Sequence, residues 1–190
     1  MLRQSAKAFA GVPSFHAGLA LTLCSLDLYD EARTILEQAT SDRFEQYEAT
    51  VTTLIALAQY ADVAFVTSNA RAAAILYEQL EPFADQIVWS ATQGYGHVRM
   101  YLGVLAATLG DHQRADEHLQ FACEFHEAND IPLWAARTHL GWAEALAHRG
   151  DPLGVREHAT QALELSQQHG YGKYESRAAE LLVAQPAAEV

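Results

Sequence analysis

Nine histidines and two cysteines are the side chains of this 190-residue sequence with the most chemistry to offer, as metal ligands, proton carriers or nucleophiles. A helical zinc site places two histidines four residues apart beside an acidic neighbour, so that both imidazoles leave one face. His112 and His118 are six apart, on different faces of one helix, and His139 and His148 are nine apart. No pair has the required spacing, so the histidines read as surface or internally satisfied groups, and no metal is expected. Serine, histidine and aspartate are all present, but no serine sits on a glycine-flanked elbow. Cys24 and Cys123 carry no local nucleophile signature and read as reduced packing residues. Gly94-Tyr95-Gly96 is too short to cradle a phosphate. Trp134 and Trp142, eight apart and so on roughly one helical face, read as core and inter-repeat packing. Neither catalysis nor a cofactor is expected.

Helices must position whatever chemistry remains. Between Tyr101 and Glu124, Leu102, Leu105, Ala106 and Leu109 recur at three- and four-residue steps, and Ala115, Leu119 and Ala122 do the same further on. Gly110-Asp111 separates the two runs. Glycine ends a helix by taking the left-handed conformation at little cost, and aspartate accepts the orphan N–H groups of the next helix. The pattern predicts a helical hairpin, with Gly103, Ala115 and Ala122 letting the backbones approach. One such hairpin cannot bury its apolar face alone, so further copies are required.

The spacing supplies them. Hairpins are predicted over about 13–40, 46–82, 92–129 and 131–169, with a final capping helix over 173–185. Leu19, Leu23 and Leu26 stripe the first helix. A longer helix runs from about Gln46 to Val66, carrying Val51, Leu54, Ile55, Ala58, Ala61 and Phe65. From Phe83 to Gly96 the pattern is irregular, and a loop is expected there, followed by a helix starting between Trp89 and Gly96. The turns fall at Asp27, Ser68, Gly110 and Gly150, at steps of 41, 42 and 40 residues. Five residues after each turn stands Ala32, Ala73, Ala115 or Val155, and nine after stands Leu36, Tyr77, Leu119 or Ala159. The period exceeds the 34 residues of the tetratricopeptide (TPR) unit, so longer helices or connections are expected.

Lys and Arg number 12 against 24 Asp and Glu, a net charge of 12 − 24 = −12 with histidine neutral. No basic run offsets it, which disfavours direct binding to nucleic acid or to an anionic membrane. No stretch approaches the roughly 20 apolar residues of a membrane span, and the N-terminal residues lack the apolar segment of a secretory signal. The expected location is cytoplasmic.

The Tyr101–Glu124 hairpin resembles a TPR, through Leu102-Gly103, Gly110-Asp111, Ala115, Leu119 and Ala122. More broadly, AGLALTLCSLDLYDEARTILEQ, LYEQLEPFADQIV, YLGVLAATLGDHQRADEHLQFA and AARTHLGWAEALAHRGDPLGVREHATQALELSQQHGYG together resemble the TPR-like C-terminal repeat region of bacterial ATPase-containing regulators of the MalT/LuxR type, or of adenylate cyclases with similar repeats. The sequence has no GxxxxGK[ST] phosphate loop and no helix-turn-helix after Gly172. Met1 falls where such proteins continue from earlier repeats, so an excised piece or a short stand-alone relative is expected. The resemblance implies an all-α, right-handed TPR-like solenoid of about four hairpins plus the capping helix, acting as a non-catalytic protein-interaction or sensor module in signalling or transcription regulation. In such arrays the first helix of each hairpin lines the concave face. Here that face would present Asp62, Phe65, His97, Met100, Val104, Arg137, Leu140, Glu144 and His148 to a protein or peptide partner. Arg99 and Arg137 could instead pair with helix-face carboxylates. A small-molecule or peptide effector domain, a homodimerisation scaffold and a helical enzyme adapted from the repeats are the alternatives. The enzyme would need buried ionisable groups gathered in one pocket.

Overall fold

The computed structural model describes residues 13–41, 43–44, 52–90 and 92–184. They form α1 (Pro13–Cys24), α2 (Tyr29–Ser41), α3 (Thr53–Val66), α4 (Ala70–Leu80), a 3-10 turn (Glu81–Phe83), β1 (Ile87–Trp89), β2 (Gly94–His97), α5 (Val98–Thr108), α6 (His112–Ala128), α7 (Pro132–Arg149), α8 (Pro152–His169) and α9 (Gly172–Ala184). The fold is mostly helical, as expected. The first part of the helix expected from Gln46, with Val51, and the expected capping-helix end at residue 185 lie outside the described residues.

How the helices end explains the sequence period. Asp27, Ser68, Gly110 and Gly150 all take left-handed φ, at 58°, 52°, 78° and 78°. At each, the following N–H donates to the carbonyl five residues back: Leu28 to Leu23, Asn69 to Ala64, Asp111 to Ala106, and Asp151 to Leu146, at 2.8–3.0 Å. This Schellman closure satisfies helix-end carbonyls that would otherwise be orphaned. The same bond ends α2 at Arg43, α6 at Asp130 and α8 at Gly170. After Ser68, Gly110 and Gly150 the next helix is capped by a side chain: Asn69 accepts from the Ala72 N–H, Asp111 from Arg114, and Asp151 from Gly154. At these three turns one residue stops a helix and its neighbour starts the next. A left-handed φ costs a non-glycine residue about 1–2 kcal/mol. Ser68→Gly is therefore expected to raise the unfolding free energy by about 0.5–1 kcal/mol. Gly150 has open space around its Cβ position, so Gly150→Ala meets only the backbone penalty and loses about 1 kcal/mol. Urea midpoints read both, and equal midpoints for the two variants would contradict the closure argument.

The chain divides into two compact units between Ala115 and Asp116. In the first, α1 packs on α2 and α3, α3 on α4 and α5, and α2 and α4 each on the following first helix. α3 therefore has neighbours on two sides, and it buries Ile55, Ala56, Leu57, Ala58, Tyr60, Ala61, Val63, Ala64 and Phe65 almost all the way round. Leu26 and Leu109, expected on apolar stripes, lie past the ends of α1 and α5 and are exposed.

The expected loop over 83–96 is instead partly a small antiparallel hairpin, and α5 starts later than expected, at Val98. Ile87 pairs with His97 and Trp89 with Gly94. Val88 is buried between exposed Ile87 and Trp89, the alternation that a strand imposes on its side chains. A Cβ on Gly94 would come within 3.3 Å of the Trp89 ring, so glycine there permits the close approach. The hairpin is tied to α5 by the Tyr101 hydroxyl, which donates to the Tyr95 carbonyl at 2.5 Å, and by the Arg99–Asp85 ion pair at 2.8 Å.

In the second unit α8 packs on α7 and α9, around Leu140, Ala143, Leu146, Val155, Ala159, Ala162, Ala178 and Leu181. Gly154 lets the start of α8 approach α7, since a Cβ there would sit 2.9 Å from Leu146 Cδ1. Arg177 of α9 donates to Glu144 of α7 at 2.7 Å.

Candidate functional site

Of the nine residues expected to line a partner-binding face, five are covered by the rest of the chain. Phe65, His97, Met100, Val104 and Leu140 are all buried, where they serve packing. Asp62, Arg137 and Glu144 are half-buried, and His148 is exposed. His97 caps α5, its Nδ1 accepting from the Arg99 N–H at 3.3 Å. Arg137 lies over the Trp134 ring, 5.1 Å from its centroid, and Glu144 holds Arg177. Arg99 does pair with a carboxylate, Asp85, which precedes β1 instead of lying on a helix.

The densest chemistry lies elsewhere, where α6, α7 and α8 meet in the second unit. His139 of α7 points its two ring nitrogens at different helices. Nε2 is 2.9 Å from Glu127 Oε1 on α6, and Nδ1 is 3.0 Å from Nδ1 of His158 on α8. Cys123 Sγ lies 3.7 Å from the same His139 Nδ1. His158 stacks on Trp142, with centroids 3.9 Å apart and planes 17° from parallel. The Trp142 indole N–H donates to Asp116 Oδ1 at 2.9 Å, and Arg149 donates to Asp116 Oδ2 at 2.7 Å and to Asp151 Oδ2 at 3.3 Å. Beside this cluster the fully buried His126 meets the Thr138 hydroxyl at 3.1 Å, which in turn donates to the Trp134 carbonyl.

No histidine spacing within one helix could reveal this group, because His139 and His158 meet across the α7–α8 crossing. One signal was available in the repeat register: His158 stands eight residues after Gly150, as His118 does after Gly110.

Cys123, His139 and Glu127 line up as thiol, imidazole and carboxylate, the order of a cysteine nucleophile with its base and orienter. The environment opposes that use. Burial pushes the Cys123 thiol well above its usual range, and Glu127 and Glu124 push the same way, so the thiol keeps its proton and its low reactivity. Among the described residues no group of three or more His, Cys, Asp and Glu side chains is placed to hold a metal ion. Cys24, also buried and outside any disulfide, is far away in sequence on α1. No helix among the described residues is long and apolar enough to cross a membrane.

Burial, and then His139, hold His158 down at about 4, against the pull of Glu157, Asp116 and Asp151. Burial and then Arg99 also lower His97, against Asp85. Both rings resist protonation when folded, whereas unfolded histidine titrates near 6.5. Their stabilisation is therefore complete above about pH 6.5 and is lost as pH falls from there, levelling off for His158 near 4. Because His158 is partly solvated, the loss is expected to be about 1–2 kcal/mol. Urea midpoints at pH 7.5, 6 and 4.5 check it, and a flat profile would refute it.

Comparison with known proteins adds no assignment: no family model, no curated protein and no solved structure matches this chain.

Proposed function

We propose that this chain is a TPR-like, right-handed helical repeat array of about four hairpins plus a capping helix, working without catalysis as a protein-interaction or sensor module of a bacterial signalling regulator. The observation that carries this reading is the recurrence of one helix closure, with left-handed φ and a bond five residues back, at Asp27, Ser68, Gly110 and Gly150. Supporting it, the residues five and nine positions after each closure are all buried, and in the first unit each helix packs on its successors in chain order. Repeat proteins use that arrangement to build extended binding surfaces. Occupancy of the surface would bias an attached or partner domain through a coupling free energy.

Of the nine residues expected on the concave face, Asp62, Arg137, Glu144 and His148 keep accessible surface, so partner contact falls to them. The net charge of −12 favours a basic partner. The test is a thermal-shift and calorimetry screen of basic amphipathic peptides alongside small metabolites. The expected result is a peptide of micromolar affinity weakened at least about fivefold by Asp62→Ala or His148→Ala, roughly 1 kcal/mol. A metabolite that binds while no peptide does would favour the effector-domain reading, and a concentration-dependent dimer in light scattering would favour the homodimerisation scaffold. Turnover of an ester or amide substrate that Cys123→Ser abolishes would overturn the non-catalytic reading.

A further inference from the structure

We propose that His139 and His158 form a one-proton lock between α7 and α8, which holds the two helices together near neutral pH and opens when the pair is forced to take a second proton. The warrant is geometric. Two Nδ1 atoms 3.0 Å apart have room for one hydrogen between them, donated by one ring and accepted by the other. With the pair neutral, His139 keeps its proton on Nε2 for the Glu127 carboxylate 2.9 Å away, and His158 must donate from Nδ1. When one proton is added, His139 carries it opposite Glu127 and donates from Nδ1 to a His158 that has moved its own hydrogen to Nε2. Both states keep the contact. A second added proton puts N–H against N–H and two positive rings side by side, and the rings must separate.

The groups around the pair come from each element packed on it. α6 contributes Asp116, Cys123 and Glu127, α7 Trp142 and Arg149, and the turn before α8 Asp151, with Glu157 on α8 beside His158. α9 presents Arg177 and Glu180, engaged with Glu144 and with each other. Asp116 is committed to Trp142 and Arg149, and Asp151 to Arg149 and the Gly154 N–H. Glu127 is the acid in contact with the pair, and it serves His139 alone. His158 is accordingly the ring that stays neutral, with its midpoint near pH 4. Opening would loosen the α7–α8 pairing and free His158 from the Trp142 face.

The test is a long-range imidazole nitrogen–proton NMR titration of the full chain from pH 7.5 to 3.5, followed together with the backbone amides of α7 and α8. The lock predicts that His158 stays neutral to about pH 4, and that the α7 and α8 amides shift together when it takes its proton. In His158→Gln that shared step disappears, while stability at pH 7.5 changes by a constant amount. Glu127→Gln, at a half-exposed position, removes the countercharge of the first proton. Opening then takes up two protons in place of one, and its midpoint moves up by about half a pH unit or more. Both rings fully protonated at pH 5 with the α7 and α8 amides unmoved would overturn the proposal. So would a Glu127→Gln titration that superimposes on the wild type.

Discussion

Leu119→Ala and Leu36→Ala are each expected to lower the unfolding free energy by about 2–5 kcal/mol. The two leucines hold the same register, nine residues after Gly110 and after Asp27, and both are fully buried. Each substitution removes three carbons from a closed interior, a transfer loss of roughly 2 kcal/mol at about 0.8 per methylene, and the unfilled volume adds the remainder. The cavity is expected to persist, because the neighbouring positions in the register are already small: the methyl groups of Ala32 and Ala115 are too short to collapse into it. Leu153, 71% exposed at the start of α8, is the control, and Leu153→Ala should stay within about 0.5 kcal/mol. Urea unfolding at unchanged slope measures all three. Losses under about 1 kcal/mol at both buried leucines would mean that the period does not mark packing positions.

That period was legible because it is written in local chemistry. Gly110-Asp111 and Gly150-Asp151 announce a stop and a start through residue types that favour a left-handed φ and a cap. Asp27 and Ser68 do so less openly, and it is their register with the two glycines that identifies them. The hairpin at 87–97 was not legible, because strands of three and four residues are too short for a two-residue alternation to stand out, and Gly94 and Gly96 spoke only against a helix. The burial of part of the candidate face escaped the sequence for a different reason. On α3 the apolar residues run almost all the way round, since the helix has neighbours on two sides, so periodicity could not say which of Asp62 and Phe65 faces water. Met100 and Val104 on α5 were hidden by the same ambiguity. The His139–His158 contact depends on where α7 crosses α8, which no within-helix spacing encodes.

Asp116→Ala is expected to cost about 2–3 kcal/mol, the second large effect, although its side chain is 39% exposed. Its carboxylate binds two donors on α7 at once, the Trp142 indole N–H at 2.9 Å and the Arg149 guanidinium at 2.7 Å. The Arg149 contact is partly solvated and contributes at most about 1 kcal/mol. The indole bond to a charged acceptor contributes about 1.5–3 kcal/mol, because Trp142 lies under His158 and its N–H finds no water as good. Asp116→Asn keeps an acceptor for the indole and loses the charge, so it should fall about 1 kcal/mol below wild type, between wild type and the alanine variant. Near-UV circular dichroism of the tryptophans should weaken in the same order, because the indole that the carboxylate fixes also sets the stack on His158. Trp142→Phe made in the Asp116→Ala background should then cost less than it does in the wild type, by about the strength of the lost indole bond. Additive losses in that double-mutant cycle would show that the two side chains do not hold each other.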